Sequence, residues 1–252
     1  MKLFLGLPSY GGVRYNTCAL LGAMAANAKT HLLENINSME VSGSLLAAGF
    51  NQLLCEALDQ QAKGQADLML LLHADIVPQD TTGWLATLLG VRQQIKKQHG
   101  ACDVLSAVVP IKDLRGLTST GVEGETEWSP VRLTMTQVLA MDETFTLPNL
   151  LVNTGMLLID LRTKWIREVA FTIKDAILIT PDGKRVAAVQ PEDWDFSRQA
   201  RGHGVTLWAT RSVLLAHTGT FAYPNFVAWG SSTDLGDGHG VPKEKPIGHP
   251  AN

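Results

Sequence analysis

Apolar runs and apolar stripes alternate along roughly the first 110 residues of the chain. Short continuous apolar runs predict buried strands, and these lie at residues 2–7, 31–33, 67–72 and 103–109. Apolar residues that recur at three- and four-residue steps predict helices between them, over residues 16–28, 44–63 and 81–99. Ser42 or Ser44 is expected to cap the second helix, and Gly64 to end it. The alternation predicts a Rossmann-like, mostly parallel central sheet with helices on both faces.

The second half of the chain carries shorter and more mixed patterns. Residues 176–180 and 185–189 flank a Pro-Asp-Gly turn signal, which predicts a hairpin. Helices are predicted from Glu192 to about Arg201 and over residues 161–169, and further strands at 131–140, 150–159, 205–209 and 213–216. One domain is expected over residues 1–229, with halves at about 1–112 and 113–229, followed by a Gly- and Pro-rich tail over 230–252.

Composition and charge narrow the functional classes. Of 252 residues, 45% are apolar, which suffices for a full core and excludes a largely disordered chain. Lys and Arg number 21 and Asp and Glu 24, so the net charge is −3. The chain has no excess of basic residues to neutralise a phosphate backbone, which argues against nucleic-acid binding as its main role. Cys18, Cys55 and Cys102 form no CxxC pair, which favours reduced thiols over a disulfide framework or a zinc site. No signal peptide or membrane-spanning stretch is recognisable, so a soluble, cytoplasmic protein is expected.

Asp75 is the first residue that suggests chemistry. It follows the strongly apolar run 67–72, in the segment His73-Ala74-Asp75. Open α/β sheets bind ligands at the carboxyl ends of their strands, where an isolated carboxylate needs a cation or hydrogen-bond donors. The alternative is an Asp that caps the turn after the strand.

A second candidate is the acidic segment at the start of the predicted helix 192–201. Glu192, Asp193 and Asp195 fall within four positions. A carboxylate there can act as a base toward a substrate hydroxyl, with neighbouring like charges raising its pKa. The alternative is an acidic first turn that the helix dipole stabilises. Trp194 between them can stack on a sugar ring or pack in the core.

Two weaker signals complete the set. His217 ends an apolar strand and precedes a glycine turn, so it is either a metal ligand or a partly buried structural histidine. The loop Pro8-Ser9-Tyr10-Gly11-Gly12, with Arg14, follows the first strand, and its glycines allow a ligand to approach the backbone. It matches neither a dinucleotide fingerprint nor a P-loop.

Taken in order, these segments resemble the GT-A class of nucleotide-sugar glycosyltransferases over roughly residues 2–225. The segments that carry the resemblance are Pro8-Ser9-Tyr10, Asn51, His73-Ala74-Asp75, Asn153-Thr154-Gly155 with the apolar run after it, Glu192 to Phe196, and His217-Thr218-Gly219. The resemblance implies a GT-A-like fold with a smaller, mixed β region on the acceptor side. Two positions depart from the family pattern: His73 replaces the first carboxylate of the DxD motif, and Phe50 replaces the Arg often found before Asn51.

The resemblance also implies roles for individual residues. Asp75 and His217 would bind a divalent cation, with His73 as a further possible ligand. The mixed oxygen and nitrogen donors favour Mn²⁺ over Mg²⁺. The residues that would bind the nucleotide-sugar donor are Pro8, Ser9, Tyr10, Arg14, Asn51, His73, Ala74, Asp75, Asn153 and Gly155. Asp193 would be the base of an inverting transfer, with Glu192 and Asp195 positioning it.

The expected function is a metal-dependent transfer of a sugar from a nucleotide diphosphate, preferably a UDP-sugar, to an unidentified acceptor hydroxyl. Two alternatives remain open. A sugar-1-phosphate nucleotidyltransferase uses a related scaffold, although residues 8–12 match its long glycine-rich loop poorly. An inert nucleotide-sugar-binding module is favoured by the absence of the first DxD carboxylate.

Overall fold

The fold is described from a computed structural model, which covers residues 1–9, 22, 24, 32–219 and 221–230. Several predictions fall outside these residues. They are the helix over residues 16–28 apart from residues 22 and 24, the residues Tyr10, Arg14 and Cys18, and the tail after residue 230. The described strands, numbered in chain order, are β1 (Lys2–Ser9), β2 (Asn35–Ser42), β3 (Leu68–Leu72), β4 (Ile76–Pro78), β5 (Val104–Ala107), β6 (Leu117–Val122), β7 (Val131–Thr134), β8 (Thr144–Phe145), β9 (Leu150–Leu151), β10 (Met156–Asp160), β11 (Lys174–Ile179), β12 (Arg185–Gln190), β13 (Leu207–Thr210), β14 (Leu215–Thr218) and β15 (Ala222–Pro224). The helices that we number are α1 (Leu46–Ala62), α2 (Trp84–His99), α3 (Met135–Ala140) and α4 (Glu192–Gly202), and a 3-10 helix spans Trp165–Glu168.

A mostly parallel sheet forms the centre of the molecule. Within the described residues it has seven strands in the order β2-β1-β3-β10-β5-β13-β8. Neighbours β2, β1 and β3 pair in parallel, as do β5 and β13. Strand β10 runs antiparallel to both β3 and β5, between which it lies, and β8 pairs antiparallel with β13. The predicted α/β class and mostly parallel sheet are confirmed.

Both faces of this sheet are covered. Every residue of β3 is buried, because its side chains alternate between two apolar cores. Phe50 and Leu53 of α1 lie in one core, and Trp84 and Leu88 of α2 lie in the other. Strands buried on both faces read as continuous apolar runs, which is why β1, β3 and β5 are recognisable in the sequence.

Smaller antiparallel sheets accompany the central sheet. The described residues form a three-stranded sheet β15-β14-β4, a second one β7-β6-β9, and the hairpin β11-β12. The hairpin confirms the predicted Pro-Asp-Gly turn, where Gly183 has a φ of +81°. The pairing of β14 with β4 matters most for the site, because it sets His217 opposite Ile76.

Four local predictions were wrong. The second strand is β2 rather than residues 31–33, because this edge strand alternates exposed and half-buried side chains instead of forming an apolar run. Residues 131–140 divide into β7 and α3, since a capping box between Thr134 and Gln137 starts a helix. Residues 150–159 divide into β9 and β10. Helix α1 begins after Leu45 with no side-chain cap, so neither Ser42 nor Ser44 caps it.

Two further observations bear on the compartment predictions. Among the described residues, no helix is long and apolar enough to cross a membrane. Cys55 and Cys102 are both free, the first exposed and the second buried. Burial raises the pKa of the Cys102 thiol to about 12, so it stays protonated and unreactive at neutral pH.

Candidate functional site

Asp75 and His217 meet at the carboxyl edge of the central sheet. Strands β1 and β3 run in parallel and end at this edge, and Asp75 lies three residues beyond β3. The chain then turns into β4, whose pairing with β14 brings His217 alongside. The His217 Nε2 atom lies 3.2 Å from the Asp75 Oδ2 atom. The backbone also ties the two segments, since the Thr218 N–H donates to the Asp75 carbonyl at 2.8 Å. These two predicted metal ligands are therefore neighbours in space.

The tautomer of His217 follows from its other ring nitrogen. Nδ1 lies 2.7 Å from the carbonyl oxygen of Pro110. A carbonyl oxygen can only accept, so Nδ1 carries the hydrogen and donates it. In neutral His217 the lone pair of Nε2 then points at the carboxylate of Asp75, and two acceptors face each other. The contact is favourable only when a proton or a cation lies between them.

Lys112 supplies a cation to the same carboxylate. Its Nζ atom lies 2.5 Å from Asp75 Oδ2, the oxygen that faces His217. Burial raises the pKa of Asp75, but hydrogen bonds and positive charge from His217 and Lys112 outweigh that effect and hold the pKa well below its ordinary range. Asp75 is therefore ionised at any physiological pH, which suits a metal ligand.

The donor set fits a divalent cation with two protein ligands. Two ligands that bind one ion at about 2.1 Å and at right angles lie about 3 Å apart, close to the separation of Nε2 and Oδ2. Within the part of the chain that the structure describes, no group of three or more His, Cys, Asp or Glu side chains is arranged to hold a metal. The remaining ligands would have to come from substrate and water, and the ion would compete with Lys112 for Oδ2.

His73 lies beside this pair in a more apolar setting. Its ring stacks on Phe50, with centroids 5.3 Å apart, and its backbone N–H donates to the Gly155 carbonyl at 2.9 Å. The buried Nε2 atom has no hydrogen-bond partner. Burial lowers the pKa of His73 to about 4, against the opposing charge of Asp75, so the ring is neutral at pH 7. A neutral imidazole with an open nitrogen can bind a ligand, but none of its observed contacts requires one.

The acidic turn of α4 forms a second cluster. Burial, followed by the negative charge of Glu192, raises the pKa of Asp193 to about 7, while Arg132 opposes the shift. Burial also raises the pKa of Glu192. The Arg132 guanidinium lies over the Trp194 ring, 4.5 Å from its centroid. Asp193 is thus a half-buried carboxyl that titrates near neutral pH, as a general base requires.

Residues 109–119 connect the acidic turn to the Asp75–His217 pair. The Trp194 indole N–H donates to the Ser119 carbonyl at 3.1 Å, and the Ser119 N–H donates to the Val109 carbonyl at 2.7 Å. The next residue, Pro110, accepts the hydrogen bond of His217. A short chain of backbone contacts therefore joins the two clusters.

Asp195 has structural partners. Its side chain is 1% exposed and forms an ion pair with Lys174, Nζ to Oδ1 at 2.5 Å. The Gln199 side-chain amide and the Thr172 hydroxyl donate to its other oxygen. These contacts fix the loop before the hairpin to α4. They hold the Asp195 carboxylate inside the protein.

The predicted donor-binding residues lie in different settings. Both ends of the Asn51 amide bind the backbone of Phe171, at 2.8 Å each. Asn153 is 2% exposed and shapes the turn before β10, donating to the Ala107 carbonyl and accepting from the Gly155 N–H. These asparagines hold the fold together around the site. Pro8 and Ser9 are buried at the end of β1, and Ala74 is half-buried.

Two basic residues of the site, Lys112 and Arg132, were not predicted from the sequence. Lys112 comes five residues after β5, in a loop with no recognisable motif, and contacts Asp75, which lies 37 residues earlier in the chain. Arg132 lies in β7, a strand whose bounds were predicted too long. One signal could have identified Lys112: it is a basic residue in the loop after β5, a strand that ends at the ligand edge of the sheet.

Comparisons with known proteins add little to this geometry. No family model matches the chain, and none of the curated proteins matches it. Among solved structures, the crystal structure of A197 from STIV is similar at 16% identity and a TM-score of 0.49, over 87% of this chain and 86% of that one. The crystal structure of HddC from Yersinia pseudotuberculosis complexed with GMP-PN is similar at 9% identity and a TM-score of 0.30, over 81% of this chain and 100% of that one.

Proposed function

We propose that the protein is a metal-dependent glycosyltransferase of GT-A type, which transfers a sugar from a nucleotide diphosphate, preferably UDP, to an acceptor hydroxyl. One observation carries the proposal: Asp75 Oδ2 and His217 Nε2 lie 3.2 Å apart at the ligand edge of a mostly parallel sheet. The order of segments that resembles the GT-A class supports it.

Asp75 and His217 would hold the cation, and their mixed oxygen and nitrogen donors favour Mn²⁺ over Mg²⁺. A bound divalent cation supplies charge that stabilises a departing nucleoside diphosphate. The protein's own contribution is to fix the two donors. The Pro110 carbonyl fixes the tautomer and orientation of His217, and the Thr218 N–H fixes the backbone of Asp75.

Asp193 would accept the proton of the attacking hydroxyl. A pKa of about 7 leaves roughly half of these carboxylates free of a proton at neutral pH, while keeping them basic enough to take one. Glu192 supports this by raising that pKa. In a retaining transfer the same two carboxyl groups would instead bind acceptor hydroxyls.

A nucleotide-sugar-binding module without turnover is the second candidate. The Lys112–Asp75 ion pair favours it, since a protein cation already neutralises the carboxylate that a metal would need. This candidate predicts binding that Mn²⁺ does not improve.

A two-step experiment distinguishes them. Thermal shift against a panel of nucleotide sugars, each with Mn²⁺ and with EDTA, identifies the donor. Release of UDP from the best donor is then measured over hours, with and without acceptor candidates. Mn²⁺-dependent stabilisation followed by UDP release is the expected result. Stabilisation that is equal in EDTA, with no release, would support the binding module.

A further inference from the structure

Lys112 places an ammonium group on the carboxylate that the proposed metal requires. Its Nζ atom lies 2.5 Å from Asp75 Oδ2, and His217 Nε2 lies 3.2 Å from that same oxygen. The lysine therefore supplies a positive charge to the Asp75–His217 pair. Surface ion pairs are usually worth little, but this one lies on the carboxylate that also faces the His217 imidazole, the two groups that the proposed site needs.

The lysine is anchored at its base and open at its tip. The backbone around it is held because the Ile111 N–H donates to the Leu117 carbonyl at 2.9 Å and Pro110 forms a bridge with Thr118. Its aliphatic stem packs closely against Gly219 in the turn after β14. A Cβ atom at that position would lie only 3.1 Å from the Lys112 Cδ atom. The side chain is nevertheless 38% exposed. The ammonium can therefore move by rotation of the stem while the loop stays in place.

Two cations on this carboxylate oxygen would compete for it. An ammonium in hydrogen-bond contact and a divalent ion at a coordination distance of about 2.1 Å would lie within a few ångströms of each other and repel strongly. This repulsion favours the displacement of Lys112 by an ion that binds Asp75 and His217. The anchored stem keeps the displaced ammonium near the ion, where the oxygens of a diphosphate would collect negative charge.

We propose that Lys112 occupies the cation position on Asp75 until a metal–nucleotide diphosphate complex binds, and that its displaced ammonium then binds a phosphate oxygen. The phosphate half of this inference rests on the proposed function, whereas the displacement half rests on the contacts of Asp75 alone. The consequence is coupling: metal alone binds weakly, and metal and diphosphate strengthen each other's binding reciprocally.

The test compares wild type with Lys112→Met, which keeps the stem and removes the charge. Lys184→Met is the matched control, because Lys184 also pairs with an Asp, Nζ to Asp182 Oδ2 at 2.9 Å, on the distant hairpin. Binding of Mn²⁺ alone is followed by the loss of the free-ion signal in electron paramagnetic resonance. Binding of UDP is followed by calorimetry with Mn²⁺ and with EDTA.

Lys112→Met is expected to bind Mn²⁺ alone about tenfold tighter than wild type, and to bind UDP in the presence of Mn²⁺ more weakly. Lys184→Met should match wild type in both. A Lys112→Gln variant, with circular dichroism as a check of folding, repeats the comparison if the Met variant is unstable. Failure of both variants to fold would show that the ion pair supports the fold, and would overturn the displacement.

The outcomes separate this inference from the proposed function. Unchanged Mn²⁺ affinity in a folded Lys112→Met variant, while Mn²⁺ still strengthens UDP binding to wild type, overturns the inference alone. Tighter Mn²⁺ binding with no UDP binding to any variant supports displacement and removes the nucleotide function. Wild-type UDP affinity that is equal with Mn²⁺ and EDTA but collapses in Lys112→Met would mean that the ammonium replaces the metal, and would overturn displacement.

Discussion

The Asp75 and Asp193 carboxyl groups belong to two clusters in which the same side chain has opposite electrostatic surroundings. At the sheet edge, Lys112 and His217 face Asp75 and hold its pKa well below the ordinary value. At the start of α4, burial and the charge of Glu192 raise the pKa of Asp193 to about 7. Asp75 is thus a permanent anion, and Asp193 exchanges its proton near neutral pH. Environment, not residue type, sets the different protonation of the two aspartates.

The two groups also make opposite contributions to stability as pH changes. Because the pKa of Asp75 is lowered on folding, it stabilises the folded state above its ordinary pKa of 3.8 and loses that contribution as pH falls. Because the pKa of Asp193 is raised, the folded state holds a proton that the unfolded state releases. Stability from Asp193 is therefore complete below pH 3.8 and is lost as pH rises through about 7.

The largest expected effect comes from Asp193→Asn. The amide keeps the shape of the side chain and removes its basicity, so transfer should fall about 10²-fold or more while donor affinity stays within about twofold. Turnover and UDP affinity are measured on the same preparation. If Asp193 is only a helix N-terminal charge, turnover stays at the wild-type value and the free energy of unfolding falls by roughly 0.3–1 kcal/mol.

Asp75→Asn should have the next largest effect, on metal-dependent binding. Wild type is expected to bind UDP about tenfold tighter or more with Mn²⁺ than with EDTA, because the Asp75 carboxylate and the neutral His217 imidazole would hold the ion. In the variant the two affinities should converge. Asp182→Asn, which removes the carboxylate of the hairpin ion pair, serves as the control and should keep the wild-type difference. A variant that retains the full Mn²⁺ effect would exclude Asp75 as a ligand.

A smaller effect is expected from Glu192→Gln, which removes the like charge beside Asp193. In wild type, transfer should rise with pH through an inflection near 7, as Asp193 loses its proton. Without the Glu192 charge the inflection should move to lower pH, since one cause of the raised pKa is gone. The pH profile of kcat, measured from pH 5 to 9, reports the shift. An inflection that stays in place would assign the titration to another group.

The smallest effect is expected from His73→Asn. The ring is neutral at pH 7 and contacts Phe50, so its loss should change Mn²⁺ and UDP affinity by less than about threefold. The lost ring contact should lower the free energy of unfolding by about 0.5–1.5 kcal/mol. Calorimetric titration and thermal melts measure both. A tenfold loss of Mn²⁺ affinity would add His73 to the metal ligands.

Much of the central sheet could be predicted from the sequence because its inner strands are buried on both faces. Strand β3 is apolar at every position, so no register or partner has to be known to recognise it. The edge strand β2 could not be found in this way, since its pairing with β1 leaves alternate side chains exposed. The turn that divides 150–159 depends on Asn153 reaching Ala107, a contact across 46 residues.

The candidate site could be predicted only in part. Asp75 follows an apolar strand and His217 lies near the end of another, so the hydrophobic pattern alone suggested that both lie at a sheet edge where ligands bind. Lys112 could not be predicted, because its partner Asp75 lies 37 residues earlier, on the other side of helix α2 and strand β5 in the sequence. Asn51 shows the converse case: its type suggested ligand contact, yet both ends of its amide bind the backbone of Phe171, 120 residues away. Such tertiary partners have no local signature.

Strand β10 has a consequence for the order in which this chain can fold during synthesis. It lies between β3 and β5, so those two strands have no common neighbour until residues 156–160 have left the ribosome. A nascent chain that stops near residue 112 would carry unpaired edges on both strands, whose residues are all buried in the folded protein. The half-length chain is therefore an aggregation-prone intermediate, and truncation at that point should yield insoluble protein.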